Sequence, residues 1–310
     1  MDIGAEYMKT HHRDFVFESD DFDKLCQYVI DDYTIRAPEF SWSIGRIIDW
    51  KYNLYLPEKH FPDLFGKACH LWLDENQQLL GFVIQENFNF AVWIICHEPY
   101  MYLYGEMIAW IKENWLSLFG KVSIEVTESE RELADLLIES GFSKTVDIEM
   151  TRIFDTDAFK DFVISSSGII FQSLSENPNY EEHATLRGSA WRHDFKDKYG
   201  AGIRAYLRRS PIYNPETDFV LVNSDGRFVS GCEAFIDRKN GYAEIERVCT
   251  HAEFTNRGYA KTVIRACLRR LNELGIRTAC LTGDYDKTIY LYGSLGHMRE
   301  FTTYRYEISS

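Results

Sequence analysis

Between Tyr242 and Gly275 the chain changes its periodicity abruptly, and the change limits what it can fold into. Tyr242-Ala243-Glu244-Ile245-Glu246-Arg247-Val248-Cys249-Thr250 alternates in the two-residue rhythm of a strand. A polar stretch, His251 to Arg257, interrupts it. From Gly258 to Gly275 the apolar residues Ala260, Val263, Ile264, Cys267, Leu268, Leu271 and Leu274 recur at helical spacing. A strand that enters a helix through small residues presents consecutive backbone N–H groups at the helix start, an arrangement that holds anions. In Asn256-Arg257-Gly258-Tyr259-Ala260-Lys261, Gly258 and Ala260 offer no bulk to block an anion, while Arg257 and Lys261 add positive charge.

A short strand, Thr278-Ala279-Cys280-Leu281, follows this helix, and then comes Asp286-Lys287-Thr288-Ile289-Tyr290-Leu291-Tyr292-Gly293-Ser294-Leu295-Gly296-His297. Together the two segments resemble the GNAT acyl-CoA-dependent N-acetyltransferases. The first is similar to the family's loop (Gln/Arg)-x-x-Gly-x-(Gly/Ala), with Thr255 at the opening position. The second is similar to Asn-x-Ala-x-x-Leu-Tyr-x-x-x-Gly-Phe, with Asp286, Thr288 and His297 as departures. The resemblance implies a mixed α/β (α+β) fold, a mostly antiparallel central sheet flanked by helices, and acetyl-CoA as cosubstrate. It places the diphosphate on backbone from Asn256, Arg257, Gly258, Tyr259, Ala260 and Lys261. The pantetheine arm and thioester carbonyl fall on backbone near Val248, Cys249 and Thr250, where the strand is expected to splay from its neighbour. Asp286, at the family's Asn position, can accept a hydrogen bond from that arm but cannot donate one. Tyr292 takes the place of the general acid toward the leaving thiolate, and His297 reads as structural.

The base is a choice between two carboxylates. The period of two puts Glu244 and Glu246 on one face of the strand, where repulsion would raise the pKa of one of them. Glu246 lies nearer the loop. Pairing of both acids with Arg247 or other cations is the alternative. Cys249 reads as a core thiol, since a nucleophilic role would need a neighbouring base.

With 310 residues the chain suits two domains. The second half reads as a strand at 168–174, helices near 180–193 and 200–209, a hairpin over 219–236 and then the segments above. The first half repeats that order: a strand near 14–17, helices near 20–33 and 42–53, strands at 68–73, 79–84 and 90–96, a helix over 101–117, a strand at 122–126, a helix over 129–140 and a strand at 146–154. Its chemistry differs. Cys96-His97-Glu98-Pro99-Tyr100-Met101-Tyr102-Leu103-Tyr104-Gly105 stands where the anion loop would be, and Leu137 stands opposite Tyr292. The expected organisation is a degenerate GNAT-like domain over 1–155, a linker over 156–167 and a catalytic acetyl-CoA-binding domain over 168–310.

Charge supports this asymmetry. Residues 1–167 hold 14 Lys and Arg against 30 Asp and Glu, whereas residues 168–310 hold 20 against 18. The acidic half disfavours nucleic acid, which needs a basic face. Seven scattered cysteines without a Cys-x-x-Cys pair indicate reduced thiols and no metal site. No apolar run reaches membrane-spanning length and Met1 to Arg13 has no apolar core of a secretion signal, so a cytoplasmic protein without membrane partners is expected. The resemblance thus implies direct transfer of an acetyl group to a primary amine of a small molecule or peptide. A non-catalytic acyl-CoA sensor or interaction module is the alternative. Trp191, Arg192, His193 and Asp194 are candidates for the acceptor cleft; the acceptor and the oligomeric state are not readable from the sequence.

Overall fold

The computed structural model describes residues 9–36, 42–52, 66–86, 90–191 and 213–310. The chain divides into two compact units, and neither is a continuous stretch of sequence. The first comprises Met1–Ser41, Glu58–Ile148 and Thr302–Ser310; the second comprises Trp42–Pro57 and Glu149–Phe301.

The first unit begins with β1 (Thr10–Asp14) and α1 (Asp21–Arg36). The strand expected near 14–17 lies earlier because Asp21 draws the chain away: its carboxylate accepts from the Val16 amide at 2.9 Å and from Arg13 at 2.6 Å. The next helix, α2 (Ile44–Tyr52), belongs to the second unit. Then come β2 (Cys69–Asp74), β3 (Leu79–Gln85), β4 (Ala91–Cys96), α3 (Tyr104–Ile111), β5 (Lys121–Thr127), α4 (Arg131–Glu139) and the start of β6 (Ser143–Asp155). The helix expected over 101–117 forms in pieces. A 3-10 turn at Glu98–Leu103 precedes α3, and a π turn at Lys112–Leu116 comes after it. The extra residue of a π turn rotates the side chains beyond it around the helix axis, and here Trp115 turns inward, its indole N–H donating to the Lys67 carbonyl at 3.0 Å. Gly120, at φ 69°, ends the helical run.

In the second unit the order after β6 is β7 (Ile170–Ser173), α5 (Tyr180–Ala190), β8 (Asp218–Val222), β9 (Phe228–Asp237), β10 (Tyr242–Thr250), α6 (Tyr259–Glu273), β11 (Thr278–Gly283), α7 (Asp286–Gly293) and the start of β12 (Arg299–Ser309), most of which belongs to the first unit. The helix expected near 200–209 lies outside the described residues.

Both units share one plan. In the first, strands run in the order β1-β2-β3-β4-β5-β12, with β4 and β5 parallel and the other pairs antiparallel. In the second the order is β6-β11-β10-β9-β8-β7, with only β10 and β11 parallel. Each parallel pair is joined through a helical crossover, as parallel strands require. The first core gathers Trp72, Val83, Ile94, Met107, Ile124 and Leu137. The second gathers Phe154, Ala243, Ile245, Val263, Leu268 and Leu281.

The closing strands are exchanged between the sequence halves. Thr303–Ser309, from the end of the chain, pairs with β5 in the first unit, while Met150–Asp155, from the first half, pairs with β11 in the second. Residues 168–310 made alone would therefore lack both α2 and the strand beside β11, and would bare Ala279 and Leu281 at a sheet edge. Such a fragment is expected to be insoluble or to lose the cooperative thermal transition of the whole chain, which differential scanning calorimetry checks.

Candidate active site

The site is built around the end of β10. Its register with β9 is regular from Tyr242 opposite Asp237 to Glu246 opposite Glu233, then slips so that Cys249 faces Gly231. The extra residue is a β-bulge, and Arg247 within it has φ 52°, a left-handed conformation unusual for a side-chain-bearing residue. The bulge changes which residues share a face. Ala243 and Ile245 pack into the core with Val263 and Ile264 of α6, and after the bulge Val248 joins them. Glu244 and Arg247 turn the opposite way, toward α2, and Cys249 packs with Leu186 of α5.

On its other edge β10 pairs with β11 only through Tyr242–Glu244, opposite Thr278–Cys280. Beyond Glu244 the two parallel strands share no pairing among the described residues. The splay expected near Val248, Cys249 and Thr250 is present, and it leaves that backbone edge open toward β11. Thr250 is tied from the β9 side, its hydroxyl 3.0 Å from Ser230 Oγ. Burial pushes the Cys249 thiol up to about 12, as suits a packed thiol.

A 3-10 turn at Ala252–Phe254 leads from β10 to the loop before α6. Asn256 at φ 61° and Gly258 at φ 80° bend the chain into the start of α6. Thr262 is the first amide bonded inside the helix, to the Gly258 carbonyl at 3.0 Å, so the preceding amides of Tyr259, Ala260 and Lys261 sit in the unpaired first turn. A Cβ built on Gly258 would meet nothing within 4 Å. Arg257 lies over the Phe254 ring with its guanidinium carbon 5.3 Å from the centroid. Lys261 Nζ donates to Ser294 Oγ at 3.2 Å, which links the start of α6 to the end of α7.

α7 carries the later motif. Asp286 is exposed in its first turn, while Tyr292 is buried in the second core. Burial, reinforced by the nearby charges of Glu246 and Asp284, raises the Tyr292 phenol above its ordinary value. Its hydroxyl has no hydrogen-bond partner among the described residues. His297 lies against Phe154 and 3.2 Å from Glu300.

The two candidate bases have different surroundings. Glu244 is buried and accepts from the Ser43 hydroxyl of α2's leading end. Glu246 is half-buried, and among the described residues its carboxylate accepts only from the neighbouring Arg247 amide, at 3.4 Å. Burial, with Glu244 and Asp49 adding negative charge, holds the Glu246 pKa well above the usual carboxylate range. The ion pairing allowed for Arg247 in the sequence goes elsewhere. It pairs with Glu233 of β9 and with Asp49 of α2. Glu233 also meets Arg187 at 3.3 Å, and Arg187 meets Asp218 at 3.3 Å, which His183 approaches at 3.2 Å. Asp49 and Ser43 carried no signal in the sequence, because their partners lie 198 and 201 residues away.

Trp191 ends α5 and packs on the small cluster that includes Cys249; Arg192, His193 and Asp194 lie outside the described residues. In the first unit, β4 pairs with β5 only through Ala91 and Val92. Near there Arg36 joins Asp32 at 2.8 Å to Glu130 at 3.4 Å, and Glu130 accepts from the Thr127 amide at the end of β5. Leu137 is fully buried in that core.

Residues 180–297 match the sequence model of the acetyltransferase (GNAT) family. That segment, which carries β10, α6 and α7, resembles the GNAT acetyltransferases. Across nearly its whole length the chain has the fold of a tandem GNAT protein of the clavulanic acid biosynthesis pathway, with TM-score 0.65 and 9% identity over 97% of this chain and 98% of that one. A GNAT-family acetyltransferase from Colwellia psychrerythraea superposes with TM-score 0.62 and 13% identity, over 97% of this chain and 100% of that one. A GCN5-related N-acetyltransferase from Sphaerobacter thermophilus gives 0.58 and 17%, over 97% and 96%. At these identities the likeness concerns fold. No curated protein shows significant sequence similarity to this chain. No described helix is long and apolar enough to cross a membrane, and no group of three metal-ligating side chains converges among the described residues.

Proposed function

We propose that this protein transfers an acetyl group from acetyl-CoA directly to a primary amine of a small molecule or peptide, with the chemistry in the second unit. The observation that carries the reading is the open amide row at the start of α6. A Cβ on Gly258 would meet nothing within 4 Å, so no protein atom beside it blocks a diphosphate from that row. Asn256, Arg257, Tyr259, Ala260 and Lys261 complete that cradle, the backbone of Val248, Cys249 and Thr250 serves the pantetheine arm and the carbonyl, and Asp286 accepts from the arm. Acetyl-CoA, when bound, supplies the acetyl group as a thioester.

Glu246 takes the proton of the acceptor ammonium. Burial and the nearby charges of Glu244 and Asp49 make its carboxylate more basic than an ordinary one, the direction that favours proton capture. The freed amine nitrogen bonds to the carbonyl carbon, the carbon–sulfur bond breaks, Tyr292 gives its phenolic proton to the thiolate, and the second proton of the nitrogen leaves to the tyrosinate, directly or through solvent, which gives the neutral amide and restores Tyr292. Glu244, bonded to Ser43, is the lesser candidate for the base. We assign 1–155 and 168–310 as the two related repeats joined by 156–167, with the first one degenerate as an acyl-CoA site. A cytoplasmic location and no nucleic-acid, membrane or metal partner belong to the same proposal.

A panel of primary amines incubated with acetyl-CoA and the full chain tests it, with release of the coenzyme A thiol as readout. Amine-dependent release is expected, and Glu246→Gln should reduce it by about 10²-fold or more. Binding of acetyl-CoA without release on any amine would contradict transfer and favour a sensor.

A further inference from the structure

The acid-bearing face of β10 is completed by a helix encoded in the other half of the sequence. α2 approaches so closely that a Cβ on Gly45 would lie 2.8 Å from Phe235 Cβ and 2.5 Å from Glu244 Oε2. That approach brings two polar side chains to β10 and a third toward β6. Ser43 donates to Glu244, Asp49 pairs with Arg247 beside Glu246, and Arg46 extends toward Glu149 at 3.8 Å. Across the bulge, Glu233 holds the other arm of Arg247.

Resting on the transferase reading above, we propose that Ser43 and Asp49 are positioning residues for the second unit's reaction. Ser43 engages Glu244, Asp49 and Glu233 together clamp Arg247 at the bulge, and Glu246 remains as the carboxylate without an ion-pair partner among the described residues. The strained backbone of Arg247 persists because both arms of its guanidinium are held. The same clamp fixes the direction of the backbone that leads into Val248 and Thr250.

The groups facing Glu246 explain why Asp49 matters. Its own strand contributes Glu244 and Arg247, α2 contributes Asp49 and Arg46, β11 contributes Cys280 and α7 contributes Tyr292. Arg247 is already shared between Asp49 and Glu233, so it offers Glu246 less than a free cation would. Removing the Asp49 charge takes a negative neighbour from Glu246 and releases the arm of Arg247 that Asp49 holds, the other staying on Glu233. Both changes favour the Glu246 carboxylate, so its titration must move to lower pH.

The test uses the full chain labelled with ¹³Cδ-glutamate, followed by carboxylate NMR against pH, with Glu246 assigned from its missing signal in Glu246→Gln. Asp49→Asn is expected to lower the Glu246 midpoint by about one pH unit or more. Asp49→Glu, which restores the charge, should leave it near the original value. The acid limb of kcat/KM for the amine found active in the panel should move by the same amount, with acetyl-CoA affinity by calorimetry unchanged. An unmoved midpoint in folded Asp49→Asn overturns the proposal, and so does a midpoint that moves while the kinetic limb stays in place. Full turnover by Glu246→Gln would instead remove the base assignment on which the positioning role rests, and it is read independently of the Asp49 variants.

Discussion

Tyr292→Phe is expected to lower turnover by about 10²–10⁴-fold, the range for loss of a positioned general acid, while acetyl-CoA affinity and the melting temperature change little. The separation of effects arises from the surroundings of the residue. The ring belongs to the second core, among Ile245, Val263 and Leu281, and phenylalanine keeps that packing. The hydroxyl has no protein partner among the described residues, so its removal leaves no orphaned donor or acceptor behind; such orphans are what make loss of a buried hydroxyl costly. Burial and the neighbouring Glu246 charge hold the phenol protonated across the neutral range, so the proton is there to be given. Steady-state kinetics with calorimetric measurement of acetyl-CoA binding checks this. A variant with ordinary turnover would assign the thiolate proton to another donor.

Arg247→Ala is expected to destabilise the chain by about 3–5 kcal/mol, because it removes the cation from a buried cluster and leaves its carboxylates uncompensated. Glu233 is 1% exposed and would keep Arg187 among the described residues, while Asp49 would lose the arm of Arg247 that reaches it from β10. The backbone adds a second, separable effect. At φ 52° an alanine keeps the strain of a left-handed residue without the clamp that holds it, whereas glycine has no Cβ to strain. Arg247→Gly should therefore be more stable than Arg247→Ala by roughly 1 kcal/mol. Urea denaturation of both variants reads the ordering. Equal stability of Ala and Gly at this position would show that the bulge relaxes once the ion pairs are gone.

The parts of this protein that were legible in its sequence are the ones whose chemistry is local. The turn at Gly258, the α6 helix behind it and the α7 helix that follows each announce themselves within a dozen or so residues, through a glycine, a periodicity or a spacing. The splay of β10 from β11 was also implied by the resemblance. The features that escaped a sequence reading depend on partners far along the chain. Nothing in Ser43-Trp50 marks it as the cover of β10, since Gly45 reads as an ordinary helix glycine until Phe235 and Glu244 are beneath it. The strand exchange was hidden for a related reason. β6 and β12 alternate alike, and the pattern of a closing strand does not say which sheet it closes. Arg247 looked like a cation for the adjacent glutamates; the bulge points it instead to Asp49 and Glu233, and a bulge of one residue has no reliable signature in a strand pattern.

The central claim is a single acetyl-CoA site per chain at the start of α6, and calorimetric titration of acetyl-CoA into the intact chain tests it most directly. One site is expected, abolished by Gly258→Trp, whose indole would enter the open cradle from a backbone position at φ 80° that already disfavours a side chain. Two sites, or one site that survives Gly258→Trp unchanged, would contradict the account.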